Sequence, residues 1–347
     1  MKRSLAISFT ILVAVIGALF AANTSGQPQT PIVGYQRLSV PLPNRATDVT
    51  VHLWYPAKPR SPVSKVGQSL LFWGFDSARD AEALGQQLPV LLMSHGSGGN
   101  ALRHAWIATR FADEGFIVVA PDHPGSTSGD SDPATTLQLH LRPQDLSGLI
   151  DWLAQTPPAG LNPDLSRIGV VGFSMGGFSA LATAGLRASK QRFVDYCDTN
   201  RGKLDCGWYQ AAGVDLTSLP QTAFNASNLD RRIRAVAAID PALTQAFQSE
   251  SAENIAVPTL ILNLGSPDTM PPVMDAAALA AAISDANHAY IKGASHFSFM
   301  DECRLIGSLV LGLASPDALC AGSKRRAALH ADIAPRLIDF LKTNLQL

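Results

Sequence analysis

Charge is scarce in this sequence and almost balanced. Asp, Glu, Lys and Arg make up 16% of the 347 residues, and 27 basic against 28 acidic side chains leave a formal net charge of −1 at pH 7. Binding to nucleic acid or to an anionic membrane needs a strong basic field, so this composition excludes both. The 46% hydrophobic content instead favours a compact globular body with a full core.

Long hydrophobic runs are also few. The uncharged run from Leu5 to Phe20 is shorter than the roughly 20 residues of a membrane-spanning helix. It follows Met1-Lys2-Arg3 and precedes small residues at positions 21–26, a pattern typical of a secretory signal peptide. We therefore predict a signal peptide over residues 1–25, no stable membrane span after its cleavage, and a secreted or periplasmic protein. The alternative is an uncleaved N-terminal anchor.

Only four cysteines are present, and they fall into two local pairs. Neither pair has the C-x-x-C spacing of a metal site, so no metal is expected. In an exported chain an even number of cysteines predicts disulfides. Of the three possible connectivities, the local one is favoured, with Cys197–Cys206 and Cys303–Cys320.

The remaining residues, 26–347, show the alternation of strands and helices of one α/β domain. Continuous apolar runs predict strands covered on both faces, as in a parallel sheet, at 90–93, 116–120, 168–171, 235–239 and 259–262. The run Thr50–Tyr55 alternates, which predicts a strand open to water on one face, and residues 56–66 are interpreted as a surface loop. Helical stretches lie between these runs near 100–114, 144–155, 176–187, 273–284 and 325–345.

This order predicts a doubly wound, mostly parallel sheet that binds ligands at the carboxyl ends of its strands. One segment, 188–232, interrupts the alternation before the strand that ends at Asp240. It is about 45 residues long without a clear period, and long excursions of this kind are usually functional. We interpret it as an insertion that forms a lid or a pocket wall. The alternative is a surface decoration remote from the site.

The most specific motif is Gly172-Phe173-Ser174-Met175-Gly176, which stands directly after the strand-like run 168–171 and directly before a helix-like one. This order is that of a nucleophile elbow, a tight turn that exposes a serine hydroxyl at the edge of a sheet. Side chains at both flanking glycine positions would clash with the crowded backbone. Ser174 is therefore the predicted nucleophile.

A second glycine-rich loop, Ser94-His95-Gly96-Ser97-Gly98-Gly99, follows the strand that ends at Met93. No G-K-S/T follows it, which argues against a nucleotide-binding loop. Acyl transfer places negative charge on a carbonyl oxygen, and backbone N–H groups stabilise that charge. The loop resembles the one that supplies the first such donor in lipases and esterases. We predict that the backbone N–H groups of Ser97 and Met175 form the oxyanion hole.

A nucleophilic serine needs a general base. His296 is the one histidine that follows a late strand-like run in a small-residue turn downstream of Ser174, in the chain order Ser, acid, His. Two carboxylates could orient it, Asp240 at the end of an apolar strand and Asp268 in the loop after the next strand. A carboxylate that closes so apolar a strand would be costly to bury alone, so Asp240 is favoured and Asp268 remains the alternative.

Together, the motifs at residues 120–125, 172–176, 239–242 and 294–303 resemble those of the bacterial predicted dienelactone hydrolases, relatives of platelet-activating factor acetylhydrolase. The resemblance runs from about residue 33 to the end and implies an α/β-hydrolase fold. In acetylhydrolase-like members the acid occupies the place of Asp240, and in cutinase-type polyester hydrolases that of Asp268. True dienelactone hydrolases use a cysteine nucleophile, so Ser174 departs from them and dienelactone does not transfer as the substrate.

These residues predict a serine hydrolase that cleaves small-molecule or lipid-like carboxylic esters through an acyl-enzyme intermediate, with no cofactor. A lactonase, or a lipid or polyester hydrolase, would use the same residues. A noncatalytic binding protein on the same fold is the alternative of another class.

Overall fold

A ten-stranded sheet organises the described part of the chain, which in the computed structural model comprises residues 32–59, 61–158, 160–312, 319–320 and 325–347. The predicted signal peptide, residues 1–25, lies outside these residues. The strands are β1 Ile32–Val40, β2 Val49–Ala57, β3 Ser64–Val66, β4 Phe75–Arg79, β5 Leu88–Ser94, β6 Ile117–Pro121, β7 Ser126–Thr127, β8 Asp130–Ser131, β9 Pro163–Phe173, β10 Ile233–Ile239, β11 Thr259–Leu264 and β12 Ala286–Ile291.

The strand order in the large sheet is β12-β11-β10-β9-β5-β6-β2-β1-β4-β3, and β7 pairs with β8 separately. The six strands from β12 to β6 run parallel, whereas β2 is antiparallel to both of its neighbours, β1 and β6. This is the predicted doubly wound, mostly parallel sheet of an α/β-hydrolase fold, and the prediction is confirmed. Because the parallel strands end at one edge of the sheet, the residues that follow them can meet there.

Helices connect the strands. They are α1 Ala105–Asp113, α2 Pro133–Thr136, α3 Leu141–Gln155, α4 Met175–Thr183, α5 Lys190–Thr199, α6 Leu204–Ala211, α7 Gln221–Phe224, α8 Ser249–Glu253, α9 Ala277–Ala282, α10 Leu305–Gly312 and α11 Arg326–Leu345. Single 3-10 turns lie at Ala101–His104, Leu216–Ser218, Pro272–Met274 and His296–Phe299. Within the described residues no helix is both long and apolar enough to cross a membrane.

Two hydrophobic cores cover the two faces of the sheet. On β9, Val170 belongs to the core beneath α3 and α4, while Val171 belongs to the core beneath α1 and α11. The same alternation holds on β10 for Val236 and Ala237. Successive side chains of a strand point to opposite faces, so a strand between two cores must be apolar at every position. This explains the continuous apolar runs in the sequence.

Strand β2 differs from its prediction. Its alternating pattern predicted one face open to water, yet every residue from Val49 to Ala57 except Thr50 is buried. The polar residue that creates the alternation, His52, is buried because its ring nitrogens pair with the Tyr35 hydroxyl at 2.7 Å and with Asp122 at 3.1 Å. Residues 56–66 are likewise not all loop, since β2 extends to Ala57 and β3 begins at Ser64.

The segment 188–232 contains the short helices α5, α6 and α7 rather than irregular chain. Cys197 on α5 and Cys206 on α6 are disulfide-bonded, which ties the two helices together. The second predicted pair, Cys303–Cys320, is also at disulfide distance.

Several buried histidines make stability depend on pH. Burial lowers the pKa of His104 to about 3, of His123 and of His330 to about 4, and that of His95 well below its usual value. These groups bind protons in the unfolded chain below about pH 6.5 but stay neutral in the folded protein until their lowered pKa values are reached. Asp301 has the opposite effect on the proton balance, because burial raises its pKa to about 7. Between about pH 4 and pH 7 its carboxyl group therefore holds a proton in the folded protein but not in the unfolded chain.

Burial also lowers the pKa of His140 and of His288, so six histidines against one carboxyl leave a net uptake of protons on unfolding. Stability is therefore full above about pH 6.5 and is lost as the pH falls towards 4. We expect the urea midpoint to be lower at pH 5 than at pH 7. For each net proton taken up, the free energy of unfolding should fall by about 1.4 kcal/mol per pH unit. His104→Leu should reduce this slope. Equal midpoints at the two pH values would contradict the prediction.

Candidate active site

Ser174 occupies a strained turn between β9 and α4. Its backbone is in the left-handed region, with φ 57° and ψ −120°. A Cβ atom on Gly172 would lie 1.9 Å from the carbonyl oxygen of Gly176, and one on Gly176 would lie 1.9 Å from that of Ser94. Both contacts are impossible, so these positions require glycine. The Ser174 N–H donates to the Ile239 carbonyl at 2.9 Å, which fixes the turn to the end of β10.

His296 lies beside this serine, on the 3-10 turn that follows β12. Its Nε2 atom is 3.1 Å from Ser174 Oγ, and its Nδ1 atom is 3.0 Å from Oδ2 of Asp240. A carboxylate only accepts hydrogen bonds, so Nδ1 carries the proton and Nε2 is left to accept the serine proton. The three side chains thus form one continuous hydrogen-bonded series, and the imidazole is held in the tautomer that a general base needs.

Asp240 is fully buried directly after β10. Its Oδ1 atom accepts hydrogen bonds from the Leu264 N–H at 2.7 Å and from Asn263 Nδ2 at 3.0 Å. These donors satisfy the carboxylate oxygen that does not face His296, which offsets the cost of burial. Asn263 was not singled out from the sequence, because a polar residue within β11 carries no recognisable motif.

The alternative acid, Asp268, lies elsewhere. It is exposed in the loop after β11, whereas the Nδ1 atom of His296 is paired with Asp240. The structure therefore brings Asp240, and not Asp268, to the histidine.

Ser97 and Met175, the residues predicted to form the oxyanion hole, line one cavity together with Ser174 and His296. Within the loop, Gly98 N–H donates to the Ser126 carbonyl and Gly99 N–H to the Gly96 carbonyl, which leaves the Ser97 N–H uninvolved in these turns. Met175 is the first residue of α4, where a backbone N–H has no acceptor within the helix. Both N–H groups are thus suited to bind an anionic oxygen.

A network of buried, hydrogen-bonded polar side chains holds the glycine-rich loop 94–99 in place. His95 donates from Nδ1 to the Gly96 carbonyl at 2.7 Å and accepts the His123 N–H at 3.1 Å. His123 pairs through Nδ1 with Asp145 at 2.8 Å and through Nε2 with the Ser94 hydroxyl at 2.9 Å. Because burial keeps both rings neutral, each has one donor and one acceptor nitrogen, and every one of these is used.

Asp145 is the charged centre of this network. Burial by itself raises its pKa, but hydrogen bonds from His123 and Arg45 outweigh burial and lower the pKa to about 2. Arg45 contributes a two-pronged contact through Nε and Nη2, each at 2.7 Å. The motif around His123 was visible in the sequence, but Arg45 and Asp145 stand in segments without any motif, so their convergence was not predicted.

A mostly apolar cavity of about 420 Å³ opens at the serine. It is lined by Ser97, Gly98, Ser131, Ser174, Met175, Phe193, Trp208, Tyr209, Ala242, Leu243, Val273, Met274, His296 and Phe297. Phe193, Trp208 and Tyr209 belong to the segment 188–232. Among the described residues, no group of three or more His, Cys, Asp or Glu side chains is arranged to hold a metal ion.

The sheet order and the serine turn define an α/β-hydrolase fold. Residues 90–306 match the model of the Alpha/beta hydrolase family, and the chain belongs to this family. No curated protein matches the chain. A similar solved structure is the ferulic acid esterase from Streptomyces cinnamoneus, with a TM-score of 0.63 and 17% identity over 93% of this chain and 92% of that one. At this identity, the similarity shows the fold.

Proposed function

We propose that the protein is a serine hydrolase that cleaves carboxylic esters. The observation that carries the proposal is the hydrogen-bonded series Ser174–His296–Asp240 at the mouth of an apolar cavity. A buried acid, an oriented imidazole and a serine in a strained turn are together the elements of nucleophilic acyl transfer.

In this proposal the Ser174 oxygen attacks the ester carbonyl while His296 takes the serine proton. The backbone N–H groups of Ser97 and Met175 bind the oxyanion of the tetrahedral intermediate, a contribution that is typically a few kcal/mol per donor. His296 then gives its proton to the departing alcohol, which leaves an acyl group on Ser174. Water, activated by the same histidine, releases the acid, and Asp240 stabilises the transient imidazolium.

Separate observations bear on the substrate and on the location. The activity named for the ferulic acid esterase that shares the fold, and the motif resemblance to predicted dienelactone hydrolases and acetylhydrolases, both favour small-molecule or lipid-like esters. A lactonase or a polyester hydrolase would use the same residues. The predicted signal peptide and the two disulfides support export to the periplasm or beyond.

A fluorophosphonate probe tests the proposal directly, because it phosphonylates an activated serine and releases fluoride. We expect the native protein to gain the mass of one phosphonyl group, located at Ser174 by peptide mapping. The heat-denatured protein should not react, since the base is then no longer beside the serine.

The surface variant Ser218→Ala is the matched control and should react like the parent protein. A native protein that stays unlabelled, or that carries the group on another serine, would contradict the proposed function.

A further inference from the structure

Three aromatic side chains from the segment 188–232, namely Phe193, Trp208 and Tyr209, form one side of the cavity, which we call the aromatic wall. The ring centroids of Phe193 and Tyr209 lie 6.0 Å apart and those of Trp208 and Tyr209 lie 4.9 Å apart, so the rings support one another. Phe193 and Tyr209 are buried, whereas Trp208 is 36% exposed. Trp208 is therefore the ring most open to a new partner.

Other large apolar side chains also line the cavity. They include Leu243, Val273, Met274 and Phe297, from the chain after β10, the turn before α9 and the turn that carries His296. Among the described residues that line the cavity, the only ionisable side chains are the imidazole of His296 and the phenol of Tyr209, and none is a carboxylate, lysine or arginine. A charged substrate group would lose its hydration there without gaining an ionic partner, which is unfavourable.

The aromatic wall is held in place from two directions. The Cys197–Cys206 disulfide joins α5, which carries Phe193, to α6, which carries Trp208 and Tyr209. At its base, the segment is tied to the loop after β10 by the hydrogen bond from the Ser189 N–H to the Ala246 carbonyl at 2.6 Å. The wall is thus a pre-formed surface that a ligand meets without first ordering the chain.

We infer that the aromatic wall is the subsite that selects the substrate, binding an uncharged aromatic or alkyl group of the ester beside Ser174. This inference rests on the proposed function and adds to it a substrate class, namely neutral esters with one bulky apolar arm. It assigns Trp208 as a specificity-determining residue.

The test compares kcat/KM for ethyl acetate, methyl hexanoate and hexyl acetate, measured by pH-stat titration. With Trp208→Ala, the preference for at least one of the two longer esters over ethyl acetate should fall about tenfold, as expected for the loss of a large apolar contact. Trp208→Phe should keep part of the preference. A preference that is unchanged in Trp208→Ala would overturn the inference.

Trp73→Ala is the matched control, because Trp73 is 51% exposed and does not line the cavity. It should leave the preference of the parent protein intact. Circular dichroism and the thermal midpoint of each variant check the fold, so that a change in preference is read only from folded protein.

A second comparison addresses charge with two substrates that differ only in a terminal carboxylate. If methyl hexanoate is the longer ester whose preference depends on Trp208, its charged counterpart is the half ester monomethyl adipate. If hexyl acetate is that ester, its charged counterpart is 6-acetoxyhexanoate. We expect kcat/KM of the charged counterpart to be at least about a hundredfold lower. Equal turnover of the matched pair would overturn the inference.

The disulfide provides an independent arm of the test. Cys197→Ser combined with Cys206→Ser should weaken the preference for the longer esters, because the two helices are no longer joined. These outcomes are separable from the proposed function: fluorophosphonate labelling at Ser174 with no preference among esters refutes only the subsite. A native protein that is not labelled refutes the hydrolase itself.

Discussion

Asp240→Asn is expected to lower kcat by a factor on the order of 10⁴, whereas Asp268→Asn should keep activity within roughly tenfold. The amide at position 240 can present its NH₂ group to His296 Nδ1, which then must accept, so the ring proton moves to Nε2 and the histidine cannot act as a base. The loss should therefore appear mainly in kcat. Asp268 is exposed and is not the partner of His296 Nδ1.

Steady-state kinetics on a neutral ester, with circular dichroism as the control for folding, decides between the two positions. An inactive Asp268→Asn beside an active Asp240→Asn would place the acid after β11 and refute the acetylhydrolase-like reading of this site. A comparable collapse of both folded variants would mean that the two carboxylates act together on His296.

Ser174→Ala should reduce turnover at least about a thousandfold, because the acyl-enzyme can no longer form. The residual rate would come from the oxyanion hole and from substrate binding, which remain in place. The alanine side chain is smaller than serine and keeps the Cβ atom in the strained turn, so the variant should fold.

The thermal midpoint and ester hydrolysis of purified Ser174→Ala check this expectation. Retention of most of the activity by the folded variant would show that another group is the nucleophile.

Local chemistry explains how far the sequence could predict this structure. The elbow at Ser174 and the strands β5, β6, β9, β10 and β11 are encoded in adjacent residues, by glycines around a serine and by uninterrupted apolar runs. The choice between Asp240 and Asp268 also had a physical basis in the sequence, because a carboxylate that closes a buried strand needs a partner.

The features that sequence reasoning missed depend on contacts between distant segments. Arg45 and Asp145 are 100 residues apart, yet they meet beneath the loop that holds Ser97. His52 looked like a solvent-facing residue until Tyr35 and Asp122 supplied its partners. No periodic hydrophobic pattern in the sequence indicates the aromatic wall, because its helices are short and its rings point towards a cavity formed by other parts of the chain.

The crowding around Gly172 and Gly176 has a practical consequence for protein engineering. With the carbonyl oxygens of Gly176 and Ser94 at 1.9 Å from the places where side chains would begin, even the step to alanine would push the serine turn and the neighbouring loop apart. Randomised libraries should leave both codons fixed. Diversity is better directed to position 208, where a new side chain would reshape the cavity from α6, away from the backbone that presents the serine.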